Sequence, residues 1–249
     1  MYGAIIGDIA GSKYEFIAYK NYPKTILDKD CFFTDDTIMT VAIADALLND
    51  KDLVNTVKAY GLEYPDGGYG GTFGKWLTTS DRDPYFSYGN GAAMRVSAAA
   101  WLSDSWSKTM DLATRVTAIT HNHPKGIKGA QATATCIYMA RKGFSKEEIS
   151  DYIENTFDYD LRFTLDEIRP FYKFNETCQN TVPQAIVAFL ESKDFIDAIK
   201  LAISLGGDAD TLAAITGSIA EAYYGIPENL IKKVKTFIPQ AFVDILEKY

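Results

Sequence analysis

The sequence predicts an all-α fold, and three observations carry that expectation. From about Thr37 onward, apolar residues recur at the three- and four-residue spacing of amphipathic helices. Helix start and stop signals bracket several of these runs. Alternating, strand-like runs are hard to find.

The first helix is expected from Thr37, where Ile38, Val41, Ala42 and Leu48 share a face with one polar position, Asp45. Further helical runs fall at about 91–103, 108–120, 126–142, 145–156, 181–191, 194–204, 211–224 and 237–248. Ser145 with Glu148 forms a capping-box pattern, Pro183 falls near a helix start, and Gly143 and Gly225 sit where helices should end. Between Gly61 and Gly91, which hold eight of the eighteen glycines, the chain reads as one long loop. Its aromatics Tyr69, Phe73, Trp76, Tyr85, Phe86 and Tyr88 either pin that loop to the core or stack on a ring of a ligand. A second irregular stretch, roughly 157–180, lacks a flexible-linker composition. No internal repeat stands out, so residues 1–249 are read as a single domain.

An apolar content of 47% with 23% charged residues fits a folded globular protein. A formal charge of −8 gives no global basic footprint, so neither nucleic acid nor an anionic membrane is the expected partner. The N-terminus lacks the pattern of a signal peptide, because Asp8 interrupts its apolar run, and no segment approaches the roughly 20 apolar residues of a membrane span. Cys31, Cys136 and Cys178 are widely separated, as free thiols of a reducing compartment would be. A cytoplasmic location is expected.

Two oxygen-rich clusters carry the chemistry: Thr34-Asp35-Asp36-Thr37, and Gly206-Gly207-Asp208-Ala209-Asp210-Thr211 near the other end of the chain. Each sits at an expected helix N-terminus, where Asp and Thr serve as caps. A cap needs only one side chain, however, and adjacent carboxylates repel unless a cation neutralises them. Hard divalent cations take carboxylate and hydroxyl oxygens, so the two clusters together favour a metal site.

Taken in order, Gly7-Asp8-Ile9-Ala10-Gly11 with Glu15-Phe16, Thr34-Asp35-Asp36-Thr37, Gly89-Asn90-Gly91 with Met94-Arg95, and the late Gly-Gly-Asp-Ala-Asp-Thr run resemble the ADP-ribosylglycohydrolase family over about residues 3–225. The resemblance implies a compact orthogonal helical bundle with a central cleft holding two Mg2+ or Mn2+ ions. It implies hydrolysis of the bond joining ADP-ribose to a modified protein side chain or a small acceptor. By resemblance, Thr34, Asp35, Asp36, Asp208, Asp210 and Thr211 are the metal ligands, and Glu15 or Asp36 accepts the proton of the attacking water. Gly89, Asn90 and Gly91 match the loop around ribose and phosphates, and His121 matches a histidine segment beside the cleft. Arg95 either faces the anion or pairs with an acid. The pair His121 and His123, two residues apart, is a weak zinc signature and also suits a helix beginning at Pro124.

Three rival readings remain. The Asp208-Ala209-Asp210-Thr211 box superficially resembles that of aspartate-nucleophile phosphatases, which are α/β proteins. Asp35-Asp36 could open an isoprenoid-synthase motif, but Met39 and Thr40 stand where a further acid is expected. The third is an ADP-ribose-binding protein without turnover.

Overall fold

A computed structural model describes residues 1–248; Tyr249, the last residue of the expected domain, lies outside the described residues. Among the described residues there are fifteen α-helices and no strand, only an isolated antiparallel bridge between Gly89 and Thr177. The all-α expectation holds.

The chain opens with a helix not expected from the sequence, α1 (Tyr2–Gly11), followed by a 3-10 turn at Ser12–Tyr14. Gly3, Gly7 and Gly11 resemble loop punctuation, yet at a spacing of four they line one face of α1. That face meets the backbone of α13 (Ala209–Tyr224): a Cβ on Gly7 would lie 2.0 Å from the Ala213 carbonyl oxygen, and one on Gly11 2.4 Å from the Asp210 Cα. Any side chain there would force the helices apart. Glu221 closes the far end, accepting from the Gly3 N–H at 2.9 Å and pairing with the Met1 amino group at 2.8 Å.

The other acid cluster begins α2 (Asp35–Leu48), with α3 (Leu53–Glu63) packed beside it. Residues Asp36 to Ala46 of α2 are all buried, so the helix is enclosed rather than one-faced. Its buried Asp45 is satisfied by Lys51 at 2.7 Å and the Tyr60 hydroxyl at 3.0 Å. The stretch read as one long loop contains α4 (Gly71–Thr78), an exception to that expectation. Gly71 and Gly74 weaken its helical signal, but burial of Phe73, Trp76 and Leu77 at helical spacing supplies what propensity lacks. Phe73 and Trp76 thus pin the segment, whereas Phe86 and Tyr88 stay exposed.

The run expected at 91–103 is two short helices, α5 (Gly91–Met94) and α6 (Ser97–Trp101). The break has a local cause: the Arg95 side-chain Nε donates to the Gly91 carbonyl, which a continuous helix would offer to the Arg95 backbone. Next come α7 (Trp106–Ala118), α8 (Pro124–Arg141), α9 (Lys146–Phe157) and the one-turn α10 (Leu165–Ile168), the last inside the second stretch read as irregular. The Ser145–Glu148 capping box is present, and Gly143 takes the left-handed conformation just past α8. Helix α11 (Cys178–Glu191) begins earlier than expected, so Pro183 lies inside it rather than near its start. Helices α12 (Phe195–Ser204) and α13 then run to Gly225, and α14 (Glu228–Val234) and α15 (Gln240–Leu246) finish the chain. Helix α13 is the axis of the molecule, packed by α1, α8, α11 and α12.

Candidate active site

The two acid clusters, far apart in sequence, meet at the facing N-termini of α2 and α13. Thr34 Oγ1 lies 3.4 Å from Asp210 Oδ2, and Thr211 Oγ1 donates to Asp36 Oδ2 at 3.2 Å. Each cluster therefore places a hydroxyl beside the other's carboxylate. Gly206 and Gly207, with φ of 66° and 81°, turn the chain from α12 into α13. A Cβ on Gly206 would come within 2.9 Å of the Tyr19 carbonyl oxygen.

Capping accounts for only part of this chemistry. Thr34 caps α2 by accepting from the Asp36 N–H, but Asp208 makes no side-chain cap on α13. Asp208 Oδ2 instead accepts from Asn90 Nδ2 at 2.6 Å, and the second amide hydrogen of Asn90 goes to Thr181 Oγ1 at 3.2 Å. The Asn90 side chain thus orients an acid, while Gly89 and Gly91 line the cleft with their backbone.

Asp8 has a role in the fold that its place in the sequence does not show. Fully buried, it accepts from the Thr34 N–H and the Thr37 N–H at 3.0 Å each, and from Thr34 Oγ1 at 2.7 Å. It ties α1 to the first turn of α2.

Glu15, Asp35, Asp36, Asp208, Asp210 and Thr211 line a cavity of about 220 Å3. Gly68, Gly70, Gly71, Tyr85, Arg95 and His121 line it too. A Cβ on Gly68, Gly70 or Gly71 would meet only open space, and Gly71 begins α4, so this stretch borders the cavity without side-chain cover. These three glycines were hidden in the sequence as turn residues.

The acids crowd one another. Burial first, then Asp208, Asp35 and Asp8, raise Glu15 to about 8. Burial, then Asp8 and Asp208, raise Asp35 to about 7. Asp36 and Asp210 are pushed well up, again chiefly by burial and then by neighbouring carboxylates. Asp36 Oδ1 is buried with no hydrogen-bond partner. Oxygen atoms of Glu15, Asp208 and Asp210 lie within 4.8 Å of one another. An orphaned carboxylate oxygen beside converging acids and hydroxyls is a donor set that fits a hard cation.

Arg95 settles neither of its two expected roles by an ion pair. It is buried and makes none among the described residues, donating instead from Nη2 to His121 Nδ1 at 2.8 Å. Burial, and secondarily Arg95, push His121 well below the usual imidazole range. His123 caps α8 through Nδ1, accepting from the Lys125 N–H at 3.0 Å. The two histidines thus serve different elements, which removes the zinc pair.

The family model described as ADP-ribosylglycohydrolase matches residues 1–248. The chain belongs to the ADP-ribosylglycohydrolase family. The assignment makes it a glycohydrolase and sets aside the phosphatase, isoprenoid-synthase and non-enzymatic readings. The chain is 28% identical to the ADP-ribosylhydrolase ARH3 of Mus musculus, covering 91% of this chain and 84% of that one. It is 26% identical to the ADP-ribosylarginine hydrolase Tri1 of Pseudomonas putida, covering 93% and 72%. The alignment with the mouse protein runs over 311 positions, more than the 249 residues of this glycohydrolase, so the relative carries additional segments. A solved structure described as an ADP-ribosylglycohydrolase-related protein complex shares the fold with a TM-score of 0.75 at 22% identity, covering 95% of this chain and 93% of that one. No helix among the described residues is long and apolar enough to cross a membrane, and all three cysteines are free and buried.

Proposed function

We propose that the chain is a metal-dependent hydrolase that releases ADP-ribose from a modified protein side chain or a small acceptor by cleaving the glycosidic bond at the ribose anomeric carbon. The observation that carries this reading is the reciprocal contact of the two acid clusters, Thr34 with Asp210 and Thr211 with Asp36, over 176 and 175 residues of chain.

Two Mg2+ or Mn2+ ions would be held by Thr34, Asp35, Asp36, Asp208, Asp210 and Thr211, with the Glu15 carboxylate close beside Asp208 and Asp210. When bound, they supply positive charge that orients ribose oxygens and makes a water easier to deprotonate. Breaking the bond builds positive charge on the sugar ring, which the surrounding carboxylates stabilise. Glu15 suits the proton acceptor better than Asp36, because it is half-buried at the cavity wall and can pass the proton to solvent. Asp36 is enclosed and already accepts from Thr211. Elsewhere in the lining, the side-chain-free backbone of Gly68, Gly70 and Gly71 at the start of α4 suits the diphosphate. Gly89, Asn90, Gly91 and His121 border the ribose, with the Asn90 side chain serving Asp208.

Asp36→Ala and Asp210→Ala should each abolish Mg2+- or Mn2+-dependent release of ADP-ribose from a panel of arginine-linked, serine-linked and small-molecule conjugates, with the far-UV dichroism unchanged. Release at the wild-type rate in either variant, or in excess chelator, rules out the metal-dependent reading.

A further inference from the structure

We propose that Arg95 is a positioning residue that fixes the His121 imidazole as its neutral Nε2–H tautomer, so that the cleft presents a standing hydrogen-bond donor beside the Gly89-Asn90-Gly91 turn.

A guanidinium only donates, so the 2.8 Å contact from Arg95 Nη2 requires His121 Nδ1 to accept and leaves the ring proton on Nε2. Thr120 Oγ1 also lies 2.8 Å from Nδ1, but a hydroxyl can donate or accept, and at 3.4 Å it is also an acceptor for Arg95. The cation therefore decides and the hydroxyl follows. Arg95 is itself held on three sides: Nε on the Gly91 carbonyl, the guanidinium over the Phe73 ring at 5.1 Å, and Nη2 on His121. Nη1 has no partner, so Arg95 is not consumed by a carboxylate that would neutralise it.

The other end of the ring faces the turn. His121 Nε2 lies 3.2 Å from where a Cβ on Gly91 would stand and 3.4 Å from that of Gly89, so the missing side chains keep the space around this N–H open. The ring lies 6.0 Å from the Tyr85 ring, and both residues line the cavity. A second positive charge on the imidazole would meet the buried guanidinium directly, so the same contact that sets the tautomer also disfavours imidazolium. His121 is thereby a donor for a ligand oxygen and not an acid that trades its proton. That the oxygen belongs to ADP-ribose rests on the proposed function; the tautomer does not.

The chain has only two histidines, so imidazole 15N NMR of the full-length protein resolves His121 from His123, and His123→Gln assigns them. The expected wild-type signature is a bare Nδ1 and a protonated Nε2 at His121. Thr120→Val should retain it, whereas Arg95→Met should populate the Nδ1–H form and weaken ADP-ribose binding about tenfold, the worth of one hydrogen bond. Should Arg95→Met fail to fold, the wild-type spectrum together with Arg95→Lys, which keeps the charge without the fork, decides. A protonated Nδ1 in the wild type, an unchanged tautomer in the Arg95 variant, or a switch caused by Thr120→Val instead overturns the proposal. Unchanged ADP-ribose affinity after the tautomer has switched overturns the donor role. An Nε2–H His121 in a protein that never releases ADP-ribose leaves this inference standing and refutes the proposed reaction.

Discussion

Replacing Asp8 tests whether α1 builds the site or merely packs beneath it. Asp8→Ala removes the acceptor of two backbone N–H groups, Thr34 and Thr37, in a spot closed to water. At about 1–3 kcal/mol for each orphaned donor the gross cost is about 2–6 kcal/mol. Removing a buried carboxylate that sits among Asp35 and Asp36 returns part of that, so the expected net loss is about 2–4 kcal/mol. Asp8→Asn is the internal control. Its amide oxygen can keep both N–H groups while its NH2 donates to Thr34 Oγ1, whose own proton then turns to Asp210 Oδ2, 3.4 Å away. That rearrangement should cost under about 1 kcal/mol. Urea unfolding of the metal-free protein measures both variants, and calorimetric titration with Mn2+ reports whether the first turn of α2 has lost its anchor, with affinity down about 10–100-fold in the Ala variant. An Ala variant within about 0.5 kcal/mol of wild type, or an Asn variant as unstable as the Ala variant, refutes the tether.

The remaining expectations concern the cleft. Because burial and mutual repulsion hold Glu15 at about 8 and Asp35 at about 7 in the folded state, above ordinary carboxylates, their ionisation opposes folding. The penalty is absent below about pH 4, where both states are protonated, and complete above about pH 8. The metal-free protein should therefore lose stability as pH rises through that window, and the rise in Tm on adding Mn2+ should be larger at pH 8 than at pH 5; a pH-independent rise contradicts the crowding. Asn90→Ala frees Asp208 from its 2.6 Å partner and should weaken Mn2+ binding about 10–100-fold by calorimetry, with little change in Tm. Gly91→Ala places a methyl 3.2 Å from His121 Nε2 and should raise KM for an ADP-ribosyl substrate more than it lowers kcat, as steady-state kinetics would report. Gly7→Val, aimed at the Ala213 carbonyl, should leave little folded protein at 37 °C in a thermal melt.

The helical class, most helix positions after Thr37, and both acid clusters were legible because periodicity and side-chain chemistry are local properties. What escaped was written in residues with nothing to show. Gly3, Gly7 and Gly11 carry no apolar signal, yet they let α1 touch the backbone of α13. Gly68, Gly70 and Gly71 read as turns because residues without side chains give no sign of the cavity they line. Asp8 looked like an interruption of an apolar run, since its three donors come from a segment 26 and 29 residues away. The family resemblance makes Asn90 a ligand contact, and only the fold shows that its amide reaches Asp208, 118 residues on. Pro183 points the other way: its local preference is for a helix start, yet α11 begins at Cys178 and carries it inside.

The glycine face of α1 also has a history in time. It leaves the ribosome well before its partner, since α13 begins at Ala209, 198 positions after Gly11. At about 5–20 residues per second that is a wait of roughly 10–40 s, during which α1 lacks the α13 surface it closes on. Asp35 and Asp36 are then already made, without the Asp208 and Asp210 that face them in the folded site. The order of synthesis thus places assembly of the centre among the last events of folding, and a nascent chain stopped before α13 should be held by chaperones rather than by metal.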